Sequence, residues 1–408
     1  MVKTERPNGS SEQRDNGRQQ VIGVIRHAGK IARIDIAQET GVSPATVTAI
    51  TSDLIQANLI EEVAPTASKG DTRRGRPRVA LKIRGAAHLI AGIKISNKSI
   101  TITLVDFEGT TLSEHEAPMP KPKVSSAELV RLVCDTLKTA TGEIGRTVQD
   151  LSGVGLGVAG IIDAPRGFVH WSPSLTDRNV ELRAQLEDLI DLPFFIDNDA
   201  NLVAKAEQLF GKGRNVSDFI VVTIEHGVGM GIVISDQVYR GTRGCGAEFG
   251  HTKVQLDGAL CRCGQRGCLE AYVADYALLR EADISSLAQE RISSEEQLNA
   301  LFEDAKAGNQ TAQSIFHRAG RMFAMGLANI VNIFDPKLII LSGERMQFDY
   351  LYADEVLNSI KNSVVQVDVP PPEILIHKWG DLMWAKGAAA YAIEGVTENA
   401  VRQIASNA

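Results

Sequence analysis

The chain of 408 residues contains no run of 18 apolar residues, so no transmembrane helix is expected. Met1 to Gln20 is polar and charged with no apolar core, so that stretch is not expected to act as a secretory signal. Cysteine is scarce. Of five, Cys245, Cys261, Cys263 and Cys268 lie close together and Cys134 stands alone. That is no disulfide framework, and with no export signal a reducing cytoplasm fits. The charge is not of one sign throughout. Residues 1–85 carry 14 Lys+Arg against 9 Asp+Glu, and the remainder carries 29 against 41. Lys69 to Arg84 concentrates the basic excess, with Lys69, Arg73, Arg74, Arg76, Arg78, Lys82 and Arg84 against Asp71 alone. A basic segment on an acidic body points to a polyanion partner for one end only. The length implies two or three domains, and an apolar share of 44% is that of an ordinary globular protein.

What is present begins with three short helical patterns. Val21, Ile22, Val24 and Ile25 mark a first helix within 17–31, ended by Gly29. Arg33 to Glu39 reads as a second, closed by Gly41. Ser43 and Pro44 supply an N-cap and a first-turn proline for a third that runs to about Ala57. Its Val47, Ile50 and Leu54 fall at helical spacing and should face inward, leaving Thr46, Thr48 and Ser52 outward. Asn58–Val63 and Val79–Ile83 read as two strands joined by the basic loop. Three helices and a basic hairpin predict a small α+β winged helix-turn-helix domain over 17–85, behind a flexible N-terminus at 1–16. Ser43, Ala45, Thr46 and Thr48 would face the bases of double-stranded DNA. Arg73, Arg74, Arg76 and Arg78 would meet phosphates or a minor groove.

One histidine and three cysteines fall within 18 residues: His251, Cys261, Cys263 and Cys268. Thiolates plus an imidazole suit tetrahedral zinc, and four protein ligands close the coordination sphere, so one structural Zn2+ is expected. Gly264 and Gly267 suit the tight knuckle that this requires. Glu248 and Glu270 flank it, and acidic residues held rigidly beside a metal make a recognition site.

The rest alternates strands and helices. Strands are expected at 88–95, 99–106, 219–223 and 338–341, a small-residue strand and turn over 153–160, a strand running into a helix over 194–201, and helices at 125–145, 311–333 and 384–394. Two similar halves, each opening with strands near a Gly-rich turn, predict a duplicated α/β fold around a central cleft.

Glu248-Phe249-Gly250-His251, the Cys261–Glu270 knuckle and Asn198-Asp199-Ala200-Asn201 upstream together resemble the ROK family of repressors, open reading frames and sugar kinases. The resemblance covers about residues 86–395. The winged helix in front is similar to the family's transcriptional-regulator branch, that of the N-acetylglucosamine, glucose and xylose repressors. It implies an actin-like, ribonuclease-H-like duplicated ATPase fold with a structural zinc, over a two-lobed sugar-sensing domain at 86–408. A pyranose would sit between the lobes. Asn198, Asp199, Glu248, His251 and Glu270 match sugar-contacting positions, His251 giving one ring nitrogen to zinc and the other to a hydroxyl. Ser174 stands in Pro173-Ser174-Leu175, where the family has Pro-Asn-Leu.

Two departures from the family's kinases bear on activity. Lys94-Ile95-Ser96-Asn97-Lys98 replaces Asp-x-Gly-Gly-Thr, removing the glycines that wrap phosphate and the acid near magnesium. Glu225-His226-Gly227 replaces Gly-Thr-Gly, setting a glutamate where a triphosphate would lie. The expectation is a sugar-responsive transcriptional regulator, a repressor without catalytic residues, whose partners are a DNA operator, a small sugar effector and further copies of itself as a homodimer or dimer of dimers. The alternative is an ATP-dependent sugar kinase carrying a DNA-binding domain. A regulator that senses a partner protein is a third reading.

Overall fold

The computed structural model describes residues 9–64, 79–284, 293–343, 354–365, 370–378 and 382–406. Helix α1 (Gly9–Ala28) starts inside the stretch expected to be flexible and ends before Gly29, whose φ of 71° stops it. Its early turns are polar, so no apolar periodicity marks them. Strand β1 (Ile31–Ala32) leads into α2 (Arg33–Thr40), closed by Gly41 at φ 68°. Helix α3 (Pro44–Gln56) opens as its sequence predicts. The Ser43 side chain accepts the Thr46 N–H, Pro44 fills the first turn, and Val47, Ile50 and Leu54 are buried. Strands β2 (Ile60–Val63) and β3 (Ala80–Ile83) pair antiparallel, and β1 adds to the far side of β3. The short β1 has no counterpart in the sequence reading. The loop joining β2 to β3, with Arg73, Arg74, Arg76 and Arg78, lies outside the described residues.

The chain forms two compact units. One comprises Met1–Val158, Arg166–Ile196 and Ala388–Ala408; the other comprises Ala159–Pro165 and Asp197–Gly387. In the first, Arg18 of α1 bonds Asp53 of α3 at 2.7 Å. Arg26, in the last turn of α1, donates to the Phe107 carbonyl, lies 4.7 Å from the Phe107 ring centroid and reaches Thr397 Oγ1 at 3.4 Å. Burial pushes its pKa down to about 10, against Glu108 and Asp106.

Beyond that module come β4 (Leu89–Ile95), β5 (Ser99–Asp106), β6 (Thr111–Pro118), α4 (Ser126–Glu143), β7 (Leu151–Val158), β8 (Ile161–Asp163), β9 (Phe168–Trp171), α5 (Leu182–Glu187), β10 (Phe194–Asn198) and α6 (Asp199–Leu209). Next are β11 (Phe219–Ile224), β12 (Val228–Ile234), β13 (Gln237–Val238), α7 (Glu270–Val273), α8 (Asp275–Ile284), α9 (Ser294–Lys306), α10 (Gln310–Phe334), β14 (Leu338–Ser342), α11 (Asp354–Ser363), β15 (Glu373–His377) and α12 (Met383–Ser406). Helix α12 runs well past the alanine-rich stretch because Val396 and Val401 keep its apolar face buried.

The sheet orders are β10-β7-β4-β5-β6 and β13-β12-β11-β14-β15. Each begins with an antiparallel meander (β4-β5-β6 and β11-β12-β13), and each adds its fourth strand parallel to its first (β7 on β4, β14 on β11). Two copies of one topology are the duplication expected from the sequence. The glycine run in β7 is a packing device. A Cβ on Gly155 would lie 1.8 Å from the Ala388 carbonyl oxygen, so only glycine lets α12 approach. In the second unit, α10 lays Ile315, Phe316, Ala319, Phe323 and Leu327 into the core at helical spacing. No helix among the described residues is long and apolar enough to cross a membrane.

Candidate functional site

The knuckle forms in the second unit. After β13 the chain reaches a 3-10 turn at Phe249–His251, and an extended bridge pairs Lys253 with Cys268. A tight loop follows, with Leu260 bridged to Arg266 and the Gly264 N–H bonded to the Cys261 carbonyl. Gly264 at φ 87° and Gly267 at φ 75° make these turns possible. A Cβ on Gly267 would meet the Gln255 carbonyl oxygen at 1.7 Å.

This folding brings together all four predicted ligands. One donor atom from each of His251, Cys261, Cys263 and Cys268 lies within 4.8 Å of the others, and the set could hold a metal ion. Cys263 and Cys268 sulfurs are 3.7 Å apart, and Cys261 Sγ is 3.7 Å from His251 Nδ1. Lys253 Nζ lies 2.9 Å from Cys268 Sγ, a cation beside the sulfurs.

Two tyrosines outside the predicted site residues tie the knuckle down. Tyr272 accepts the Ala259 N–H at 2.7 Å. Tyr276 accepts the Arg262 N–H at 3.4 Å and donates to Cys261 Sγ or Glu270 Oε1, with the Arg262 guanidinium 4.0 Å from its ring centroid. Burial, and then the bond to Cys261, drives its hydroxyl pKa upward. No local pattern marks either tyrosine, since each acts across the loop.

The acidic residues gather next to this knuckle. Glu248 Oε2 lies 4.0 Å from His251 Nε2, the ring nitrogen opposite the one facing the sulfurs. Partial desolvation raises the Glu248 pKa, and the Asp199 and Glu270 charges add to the rise while His251 opposes it. Asn198 caps α6 by accepting the Ala200 N–H at 2.9 Å, and its amide donates to the Gly160 carbonyl at 2.8 Å. Glu270 receives the Val228 N–H on one oxygen at 3.4 Å. Ser174 belongs to the other unit, where it is buried and its carbonyl accepts the Val124 N–H.

The hairpin turns between β4 and β5 and between β11 and β12 are closed differently, the first by a side chain and the second by its backbone. Between β4 and β5, Ser96 Oγ accepts the N–H of Lys98 at 3.2 Å and of Ser99 at 2.9 Å. Between β11 and β12, the Glu225 N–H bonds the Gly227 carbonyl, and His226 Nδ1 lies 3.1 Å from Asp275 Oδ2. At the N-terminal module, Ser43, Ala45, Thr46 and Thr48 are all exposed. Ser43 Oγ bonds Thr46, and the Thr48 hydroxyl donates to the Pro44 carbonyl at 2.8 Å.

The ROK family profile matches residues 90–394. The xylose repressor of Caldicellulosiruptor bescii is 31% identical over 338 residues, covering 80% of this chain and 84% of that protein. The Escherichia coli K12 DNA-binding transcriptional dual regulator NagC is 27% identical over 351 residues, covering 85% and 84%. The crystal structure of a ROK family transcriptional regulator, a homologue of the E. coli MLC protein, superposes with a TM-score of 0.79 at 24% identity, over 97% of this chain and all of that one. A ROK family glucokinase from Streptomyces griseus, solved with glucose and AMPPNP, gives a TM-score of 0.63 at 29% identity over 74% and 99%. Its shorter coverage, like the family profile's, leaves part of this chain unmatched, whereas the regulator matches nearly all of it. The profile spans most of the chain, from β4 into α12, and the chain belongs to the ROK family.

Proposed function

We propose that this protein is a transcriptional repressor whose hold on DNA is set by a sugar, and that it does not phosphorylate that sugar. One combination carries the reading: an exposed polar helix start at α3 joined to a ROK body whose phosphate turns are closed. A phosphate-binding turn needs free backbone N–H groups. Here those of Lys98 and Ser99 are taken by Ser96, and that of Val228 points at the Glu270 carboxylate. Binding a triphosphate would break these bonds and set like charges together.

In this reading, Asn198, Asp199, Glu248, His251 and Glu270 contact the sugar, and carboxylate acceptors select for its hydroxyls. Ser43 and Thr46 order the first turn of α3, while Ala45, Thr46 and Thr48 face the base edges. Arg73, Arg74, Arg76 and Arg78 meet the DNA backbone or minor groove as residues of the wing of a winged helix-turn-helix domain over 17–85. The protein acts as a dimer on a palindromic operator, and the sugar alters the spacing of its two DNA-binding modules.

The metal is zinc. Tetrahedral Zn–S bonds of about 2.3 Å and Zn–N bonds of about 2.0 Å put ligand atoms roughly 3.5–3.8 Å apart, close to the 3.7 Å separations here. Bound zinc would fix the knuckle and hold His251 Nδ1, leaving Nε2 toward Glu248 and the sugar. A coupled phosphorylation assay with ATP over xylose, N-acetylglucosamine and glucose tests the catalytic side. The expected result is no turnover; a rate on the order of 1 per second, ordinary for an enzyme, would establish the kinase alternative. That alternative draws on Asp199, the acid retained at the position a family kinase would use as base.

A further inference from the structure

We infer that Arg240 is a positioning residue for the effector, joining the loop that delivers Glu248 to the strand end that delivers Asn198 and Asp199. Arg240 follows β13, and Asp197 lies in β10. Asp197 is fully buried. One of its oxygens accepts the N–H of Asn198 at 2.7 Å and the side-chain amide of Asn201 at 2.9 Å. The other accepts Nε of Arg240 at 2.7 Å. The carboxylate thus fixes the first turn of α6, from which Asn198 and Asp199 project, to the Arg240 side chain.

The Arg240 main chain performs the second half of the link. Its carbonyl accepts the Gly246 N–H at 2.9 Å, closing the turn that runs from Gly241 to Gly246. The turn has no slack. Gly241 and Gly244 sit at φ 74° and 71°, and a Cβ on Gly246 would lie 3.0 Å from the Arg240 carbonyl oxygen. Ala247, itself at φ 67°, and Glu248 come next. One residue therefore holds Asp197 by its side chain and the Glu248 turn by its backbone. Two acceptors separated by 49 positions in the chain gain a fixed spacing, which a rigid pyranose needs in order to meet both at once. A charge pair inside a protein is costly to bury and is retained where it imposes one geometry.

This inference rests on the reading of Asp199 and Glu248 as sugar contacts, so its test uses two readouts on the full-length, metal-loaded protein. The first is hydrogen–deuterium exchange over residues 241–249. The second is calorimetric affinity for xylose, N-acetylglucosamine and glucose. Arg240→Met should speed exchange over 241–249 at least tenfold with β11 and β12 unchanged, and weaken binding of the sugar that wild type binds at least tenfold. Arg240→Lys, which keeps a charge for Asp197, should restore most of both. In a Glu248→Ala background, Arg240→Met should change affinity by less than twofold further, because it acts through that loop. Should Arg240→Met not fold, Asp197→Asn carries the same test. Wild-type exchange and affinity in the variant that folds, or losses fully additive with Glu248→Ala, would overturn the inference. If wild type binds none of the three sugars, the effector reading fails, and the exchange data alone decide whether Arg240 holds the turn.

Discussion

The two halves share one strand order and differ in what they bury. Among the described residues, the buried polar groups of the first unit beyond its N-terminal module are hydroxyls: Thr101, Thr103, Thr136, Thr141, Ser172, Ser174 and Thr397. The second half buries Asp197, Asn201, Lys205, Glu207 and Asp275. The first half also connects its meander to its fourth strand through α4 alone, whereas the second inserts the knuckle and four helices, α7 to α10, at the same point. Duplicated topology has therefore produced a packing half and a chemical half. Burying charged groups costs free energy that apolar packing does not, so the buried charges of the second unit are retained where they hold neighbouring groups in register.

The strongest way to break this contrast is to remove one of the four candidate metal ligands. Cys263→Ser should reduce metal content from one equivalent to almost none, measured by elemental analysis of protein purified without added metal. It should also unfold the second half, followed by far-UV circular dichroism, since structural zinc contributes on the order of 10 kcal/mol in small peptides. Full loading of the variant would refute the ligand assignment.

Next comes the pair of Glu207 and His377. Glu207 is fully buried, accepts the Lys212 N–H at 2.8 Å and lies 2.7 Å from His377 Nδ1. Glu207→Ala should cost about 1–3 kcal/mol in a urea titration, because the Lys212 N–H and His377 Nδ1 lose their acceptor. Glu248→Ala should leave the fold unchanged and weaken sugar binding by roughly 1.5–3 kcal/mol, the value of a hydrogen bond to a charged group. Calorimetry finding affinity within twofold of wild type would move the site elsewhere. The smallest effect belongs to the first half. The Thr103 hydroxyl is buried with no hydrogen-bond partner, so Thr103→Val should be neutral or stabilising by up to about 1 kcal/mol. A loss of more than that would show that the packing half also depends on its polar groups.

Features that depend on neighbours along the chain are legible in the amino-acid sequence itself. The knuckle places four ligands within 18 residues, and α3 announces itself through Ser43, Pro44 and the Val47, Ile50, Leu54 spacing. The lack of glycine in Lys94–Lys98 is equally plain, although nothing local shows that Ser96 accepts the Lys98 and Ser99 amides. Contacts between distant positions are not legible. Arg26 meets Phe107 across 81 residues, and Arg240 meets Asp197 across 43; each arginine reads in sequence as an ordinary surface charge. The first half of α1 escapes a sequence reading because a polar helix lacks the apolar period that reveals one. The wing arginines fall outside the described residues, and Ser174 lies in the unit that the proposed sugar contacts do not share.

In the proposed function one chain couples sugar to DNA. The most direct test is fluorescence anisotropy on duplexes selected from a random library by the full-length protein, titrated with and without xylose, N-acetylglucosamine or glucose at fixed salt. The account predicts nanomolar to tens-of-nanomolar binding to a palindromic site, a change of at least tenfold with one of the sugars, and no change in Glu248→Ala protein that still binds the same duplex. Wild-type protein that selects no sequence, or whose DNA affinity is the same with and without every sugar, would contradict it.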